Sequence, residues 1–332
     1  MSFTALGDLA QTALLRRTMT QVKARMTTLS QEVTTGVTTD AARHLGGNLG
    51  PLDAIRGSLG RLAAFKTTAA EMELRASTMQ AALQTISSGA ADLATPLIGA
   101  AADEASLDAL GARAESHLSM AVAALNTSVG GRAVFSGTAA DTTPLIGADD
   151  MLSRLETLTA GLGTVADVTA AVDGWFTDPA GFAAEAYRGT ADSAEVMVAE
   201  GETVSLAATA LDPGLRDTLK GFALAALAAR DVPSANGAAR AGLMQAAGAA
   251  LLSAQPARDD LRSTLGTAEE RIANAQTRNS AETSALEMAQ TAMLAVDDYD
   301  SATRLTEAET QLTLIYALTA RLGALSLTDY IR

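Results

Sequence analysis

Residues 52–86 read LDAIRGSLGRLAAFKTTAAEMELRASTMQAALQTI. Within this stretch Leu52, Ile55, Leu59, Leu62, Phe65, Ala69, Met72, Ala76, Met79, Leu83 and Ile86 recur only at intervals of three or four residues. A strand alternates every two residues, whereas this spacing keeps one face of a helix apolar. Sustained over several heptads, it predicts a helix packed along its length on another, a rod of about 50 Å at 1.5 Å per residue.

The same rhythm occurs toward both ends. Leu15, Met19, Val22, Met26, Leu29 and Val33 are spaced 4, 3, 4, 3, 4. Leu261, Leu265, Ala268, Ile272 and Ala275 keep it, pass through polar Asn279 and Glu282, and resume at Leu286, Ala289, Met293 and Val296. The closing residues Leu312, Ile315, Leu318, Leu322 and Leu325 form a wide apolar face, and no glycine or proline lies between Gly266 and Gly323. Asp297 and Asp298 are expected as helix residues flanking the seam at Val296. The middle differs. Phe135, Trp175, Phe176, Phe182 and Tyr187 cluster there, and Ala194–Glu200 and Glu202–Ala208 read as two strands joined at Gly201.

The expected fold class is therefore mainly α, with long antiparallel heptad helices from both termini forming a bundle and a small α/β domain inserted in the middle. The expected division is an N-terminal helix at 1–40, a first helical half at 41–138, and an insert at 139–210 with a hairpin near 194–208. A second helical half at 211–299 and a C-terminal helix at 300–332 complete it. Trp175 is expected in the core of the insert.

Composition supports this class. The 332 residues include 73 alanines, 11 aromatics and no cysteine, and the formal charge is −14. Small aliphatic residues suit closely approaching helices better than a β-sandwich. The acidic balance disfavours nucleic acid as a partner, because phosphate neutralisation needs basic surface. Without cysteine, disulfides, thiolate metal sites and cysteine nucleophiles are excluded. No stretch is apolar enough to insert in a membrane, and Met1–Ala10 lacks the basic start and apolar run of a signal peptide, so export without a cleaved leader is the expectation where the chain is secreted.

Residues for chemistry are not apparent. His44 and His117 stand 73 residues apart with no carboxylates spaced to join them in a metal site, so both are read as structural. Gly46–Gly50 follows no strand and lacks the Lys-Ser/Thr of a phosphate loop. Asp297–Asp300 lacks the alternating ligands and glycine of a calcium loop. Ser136-Gly-Thr138 has no histidine–acid pair nearby in sequence. The expectation is a non-enzyme with no catalytic, metal or cofactor-binding residues.

Three segments carry a resemblance. Leu29-Ser-Gln-Glu-Val-Thr-Thr-Gly36 resembles the end of the first helix in the flagellin superfamily, and Gly131-Arg-Ala-Val-Phe-Ser-Gly-Thr138 resembles the segment closing its first helical section. Residues Asp297–Leu312, followed by Leu322-Gly-Ala-Leu-Ser-Leu-Thr-Asp-Tyr-Ile331, are similar to the C-terminus of the hook-associated protein 3 family, which sits at the hook–filament junction. The resemblance covers roughly 1–138 and 190–332. It departs where Asp40–Gly47 replaces an Asp-Asp-Pro-Ala run and where Ala133-Val134 stands for a common aromatic.

The resemblance implies a secreted structural part of the bacterial flagellum, exported through a type III channel. Implied partners are further copies in a ring, flagellin, the other hook-associated protein on the hook side, and an export chaperone. Alternatives are flagellin itself and a helical adaptor or secretion-system component. The expected assembly residues are Leu15, Met19, Val22, Met26, Leu29, Val33, Leu312, Ile315, Leu318, Leu322, Leu325, Leu327 and Tyr330. Because little of the chain is left to cover these stripes, 1–35 and 300–332 are expected to order on assembly.

Overall fold

The computed structural model describes residues 3–232 and 236–330, and the side chains of 10–232 and 236–321. In chain order the elements are α1 (Phe3–Thr35), α2 (Ala41–His44), α3 (Gly50–Ile98), α4 (Glu104–Leu125), β1 (Ser128–Val129) and β2 (Arg132–Ala133). They continue with α5 (Ala148–Thr159), α6 (Val165–Thr177), α7 (Phe182–Glu185), β3 (Glu195–Ala199) and β4 (Glu202–Ser205). The last are α8 (Pro213–Ala229), α9 (Gly237–Ser253), α10 (Gln255–Leu294) and α11 (Asp298–Tyr330). The fold is mainly α. Among the described residues the strands form two antiparallel hairpins, β1–β2 and β3–β4. The chain divides into two compact units, Met1–Arg61 with Ala281–Arg332, and Leu62–Ser280.

The 62–280 unit is built around α8. Leu215, Leu219, Phe222, Leu224 and Leu227 are all at most 1% exposed, so this helix is buried on every side rather than on one stripe. α4 and α9 pack on it, with α5 and α6 alongside. Close approach requires small residues. A Cβ on Gly111 would overlap the Ala229 methyl, and one on Gly248 would sit 2.8 Å from the Ala94 carbonyl oxygen. Alanine abundance thus reflects helix axes drawn together, where each fully buried leucine contributes about 1.5–3 kcal/mol.

The α3 seam is buried at Leu62, Ala69, Met72, Ala76, Met79, Leu83 and Ile86, and that of α10 at Leu261, Leu265, Ala268, Ile272 and Ala275. Gln80 donates to the Arg262 carbonyl at 3.1 Å, and Gln276 donates to Glu73 at 2.9 Å, so the two helices run antiparallel. Asn279, the polar interruption of the α10 seam, is buried and donates to the Val198 carbonyl of β3 at 2.8 Å. A polar seam residue is affordable where the burial comes with a partner.

Residues 139–210 share this core rather than enclosing one of their own: Met151, Leu155, Val168, Val172, Phe176 and Phe182 belong to the same buried cluster as Leu215 and Phe222. Trp175 lies there edge-on to Phe176, with centroids 4.9 Å apart, and its indole N–H donates to Glu185 at 3.0 Å. β3 and β4 pair around Gly201, whose φ of +70° is the turn geometry that glycine supplies.

The Gly131–Thr138 segment has a physical account. Gly130 and Gly131, both at positive φ, make the two-residue turn between β1 and β2. Phe135 and Ser136 are fully buried. Gly137 has φ +65°, and a Cβ there would overlap the Thr190 carbonyl oxygen. Thr190 N–H donates to the Ser136 carbonyl at 3.0 Å, and Tyr187 donates its hydroxyl to the Thr190 carbonyl at 2.8 Å. The motif is a backbone knot around a buried phenylalanine.

Two outcomes follow for this knot. Gly137→Ala is expected to cost at least about 2 kcal/mol in urea unfolding, from the left-handed φ and the overlap together. Burial, the largest influence, pushes the Tyr187 phenol up to about 12 from 10.0. Its neutral form is therefore favoured by folding. That stabilisation is complete below pH 10 and is lost as pH rises toward about 12. Tyr187→Phe is expected to lose less stability than the parent over that window; equal losses refute the assignment.

Candidate assembly interface

The 1–61/281–332 unit joins the two ends of the chain. α1 packs on α11. Their sense is antiparallel: the Lys23 ammonium stands 5.6 Å over the Tyr316 ring, while Met26 through Thr35 share an open groove of about 510 Å³ with Leu305 and Glu309. The buried seam consists of Val22 and Leu29 from α1 and Ser301, Ala308 and Ile315 from α11. Residues seven apart on each helix thus meet at the centre, the repeat of a two-stranded coil.

Among the sequence-predicted assembly residues, Val22, Leu29 and Ile315 are in this seam, and Leu15, Met19, Met26, Val33 and Leu312 are half-buried beside it. Leu318 is 52% exposed and points outward, as do Leu14 and Leu314. Leu322, Leu325, Leu327 and Tyr330 continue α11, and their side chains lie outside the described residues. Ser301 and Ala308 escaped notice because a search for large apolar residues passes over small ones. Counting back by sevens from Ile315 finds both.

Both helical runs break at the same level. α1 stops at Thr35, with Gly36 at φ +68°. Val37 forms an isolated antiparallel bridge with Ala295, Thr38 N–H donates to the Leu294 carbonyl at 2.8 Å, and Val296 N–H donates to the Gly36 carbonyl at 3.0 Å. The Glu32 carboxylate accepts from Thr39 N–H and Thr39 Oγ1, both at 2.9 Å, and closes the turn from the other side. The expectation of helix residues at Asp297 and Asp298 holds only for Asp298. Asp297 is the N-cap of α11, its Oδ1 accepting from the backbone N–H of Tyr299 at 2.9 Å and Asp300 at 3.0 Å. Aspartate at a cap with acidic residues in the following turn favours starting a helix there, so the helical run is split without glycine or proline.

His44 ends α2 and is exposed, whereas His117 on α4 stacks on Phe222 with centroids 5.9 Å apart; burial lowers its pKa. Among the described residues no group of three His, Cys, Asp or Glu is placed to hold a metal ion, and no helix is long and apolar enough to cross a membrane. What this arrangement offers chemically is surface: one narrow buried seam with apolar residues left on its outer side.

Removing the Glu32 carboxylate tests the paired break. Glu32→Ala is expected to lower amide-exchange protection at Thr38 and Val296 by about 1–2 kcal/mol while leaving the amides of α8 unchanged. Unchanged protection at both sites refutes the carboxylate's role.

Comparison with known proteins finds a similarity over one end of the chain. Residues 249–331 match the bacterial flagellin C-terminal helical region. A solved structure described as a flagellar hook-associated protein from Vibrio parahaemolyticus is 16% identical, with a TM-score of 0.42, over 76% of this chain and 95% of that one. No curated protein matches. The matched residues are the end of α9 and the whole of α10 and α11, so the C-terminal quarter of the chain is similar to that region of flagellin.

Proposed function

We propose that this protein is a structural, non-enzymatic component of the bacterial flagellum, joining the hook-associated ring to the flagellin filament through coiled-coil packing of its terminal helices. The observation that carries the reading is the pairing of α1 with α11, the latter within the flagellin-like region, with Leu14, Leu314 and Leu318 exposed on the pair. Exposed apolar residues on a narrow two-helix unit are sites for further burial, and neighbouring subunits supply it. The partners on this reading are copies of the same chain in a ring, flagellin on one side, the other hook-associated protein on the other, and a chaperone that covers the terminal helices before export. The location on this reading is extracellular.

The tail Leu325-Ser-Leu-Thr-Asp-Tyr-Ile331 favours a junction protein. The match of 249–331 to the flagellin region leaves filament subunit as the second reading. Immunogold labelling of isolated flagella separates them: a single spot at the hook boundary is expected, and label along the filament favours flagellin. Deleting residues 322–332 is expected to abolish assembly, and an intact flagellum in that strain overturns the flagellar role. In the free chain, α1 and α11 are expected to exchange amides faster than α8, because a single seam covers them.

A further inference from the structure

The terminal pair separates its charges along its length. Between Gln11 and Gln31, α1 carries Arg16, Arg17, Lys23 and Arg25 and no acidic residue, in a chain whose net charge is −14. All four cations are exposed. The ion pairs of this unit among the described residues are Arg43 with Asp40 and Arg304 with Asp300, so none of the four is neutralised by one. On α11, Asp298, Glu307 and Glu309 are exposed and likewise make no ion pair among the described residues.

The antiparallel register keeps these two groups apart. Lys23 lies level with Tyr316, while Glu309 lies in the groove beside Ser30, Gln31 and Thr34. The cations are therefore offset from Glu307 and Glu309 by about 8 Å (Arg25 to Glu309) to about 25 Å (Arg16 to Glu307) along the pair, at 1.5 Å per residue. Charges more than a Debye length apart on an exposed surface are largely screened at ordinary salt. Inside one molecule only Arg25 and Glu309 come within a Debye length along the axis, whereas a second copy shifted along the axis brings the remaining opposite charges together. The contact pairs two different surfaces, so it repeats from copy to copy. Leu14, Leu314 and Leu318 provide apolar area on the same unit.

We propose that Arg16, Arg17, Lys23 and Arg25 of one copy dock on Glu307 and Glu309 of the next, adding copies in a fixed stagger under electrostatic control. The proposal rests on the assembly reading above for its choice of partner.

Sedimentation of the full-length chain tests it. Self-association at 0.1 M NaCl is expected to weaken about tenfold or more at 1 M, where the Debye length falls from about 10 Å to about 3 Å. A variant with Arg16→Glu, Arg17→Glu and Arg25→Glu, and a second with Glu307→Arg and Glu309→Arg, should each fail to associate alone. Mixed, they should associate again, because each then offers the other a complementary stripe. Unchanged helical circular dichroism shows that the exposed substitutions leave the fold intact. Association that ignores both salt and charge reversal overturns the proposal in favour of apolar contact alone. So does the absence of association at 0.1 M, or a mixture that stays unassociated. None of these results bears on the labelling of flagella, so the docking surface and the flagellar role fail separately.

Discussion

An apolar stripe on a helix is stable in water only when a second stripe covers it, and for α1 that second stripe comes from the other end of the chain. Val22 and Leu29 meet Ser301, Ala308 and Ile315, which makes the ends of the sequence neighbours in space. Contacts so distant in sequence carry the loop-closure entropy of the whole chain between them, although that cost grows only logarithmically with length. The seam itself is thin: three of its five buried residues are large, and two are a serine and an alanine. A narrow seam brings the helices close and leaves apolar side chains on the outside, a poor arrangement for a solitary pair and a serviceable one for a subunit.

The 62–280 unit meets the same requirement in the opposite way. α8 presents apolar residues on every face and is surrounded, so its core closes within the unit. Most of the polar groups it buries come with partners, the Nε atoms of Arg216 and Arg258 excepted. Thr218 donates to the Gly214 carbonyl at 2.6 Å and accepts from Arg258 at 2.7 Å, while Arg240 reaches the Ala228 carbonyl at 2.7 Å as well as Asp108. A buried guanidinium left without such partners is strongly destabilising, so these arginines fix which neighbours α8 accepts. One unit wraps a helix on every side, and the other covers each of its terminal helices along a single seam.

Most of the helical architecture was legible because its cause is local. Spacing of three and four names the buried face of α3 from Leu62 onward and of α10 to Ala275, and Gly201 between two alternating runs names the β3–β4 hairpin. The break at 295–297 was not legible from glycine and proline. It arises from Asp297 capping α11 and from the bridge between Val37 and Ala295, and the second of these is a tertiary interaction that spacing cannot report. The part of the α1–α11 packing that escaped is the small-residue half of the seam. Periodicity weighs a residue by its hydrophobicity, but at a close helix crossing the informative residue is the one that takes up least room. Membership of 139–210 in the larger core was hidden for a related reason: aromatic clustering shows that a core exists and not which helices share it.

Charge follows the same division between local and assembled requirements. Acids at the start of α11 serve the helix itself, since Asp297 caps it and Asp300 pairs with Arg304 one turn on at 2.7 Å. Glu307 and Glu309 lie beyond the reach of the helix terminus and have no such local role, and neither have Arg16, Arg17 and Arg25, whereas Lys23 stands over the Tyr316 ring. Surface charges without a local role are ordinary when they are mixed in sign, because they then cancel over short distances. Here the cations of residues 11–31 on α1 and the acids Glu307 and Glu309 on α11 are grouped by sign and offset along the pair, so most of their cancellation requires a displacement that one copy of the unit does not contain. Sorting of this kind contributes little to the stability of a single chain, and its physical consequence appears only when another chain is alongside.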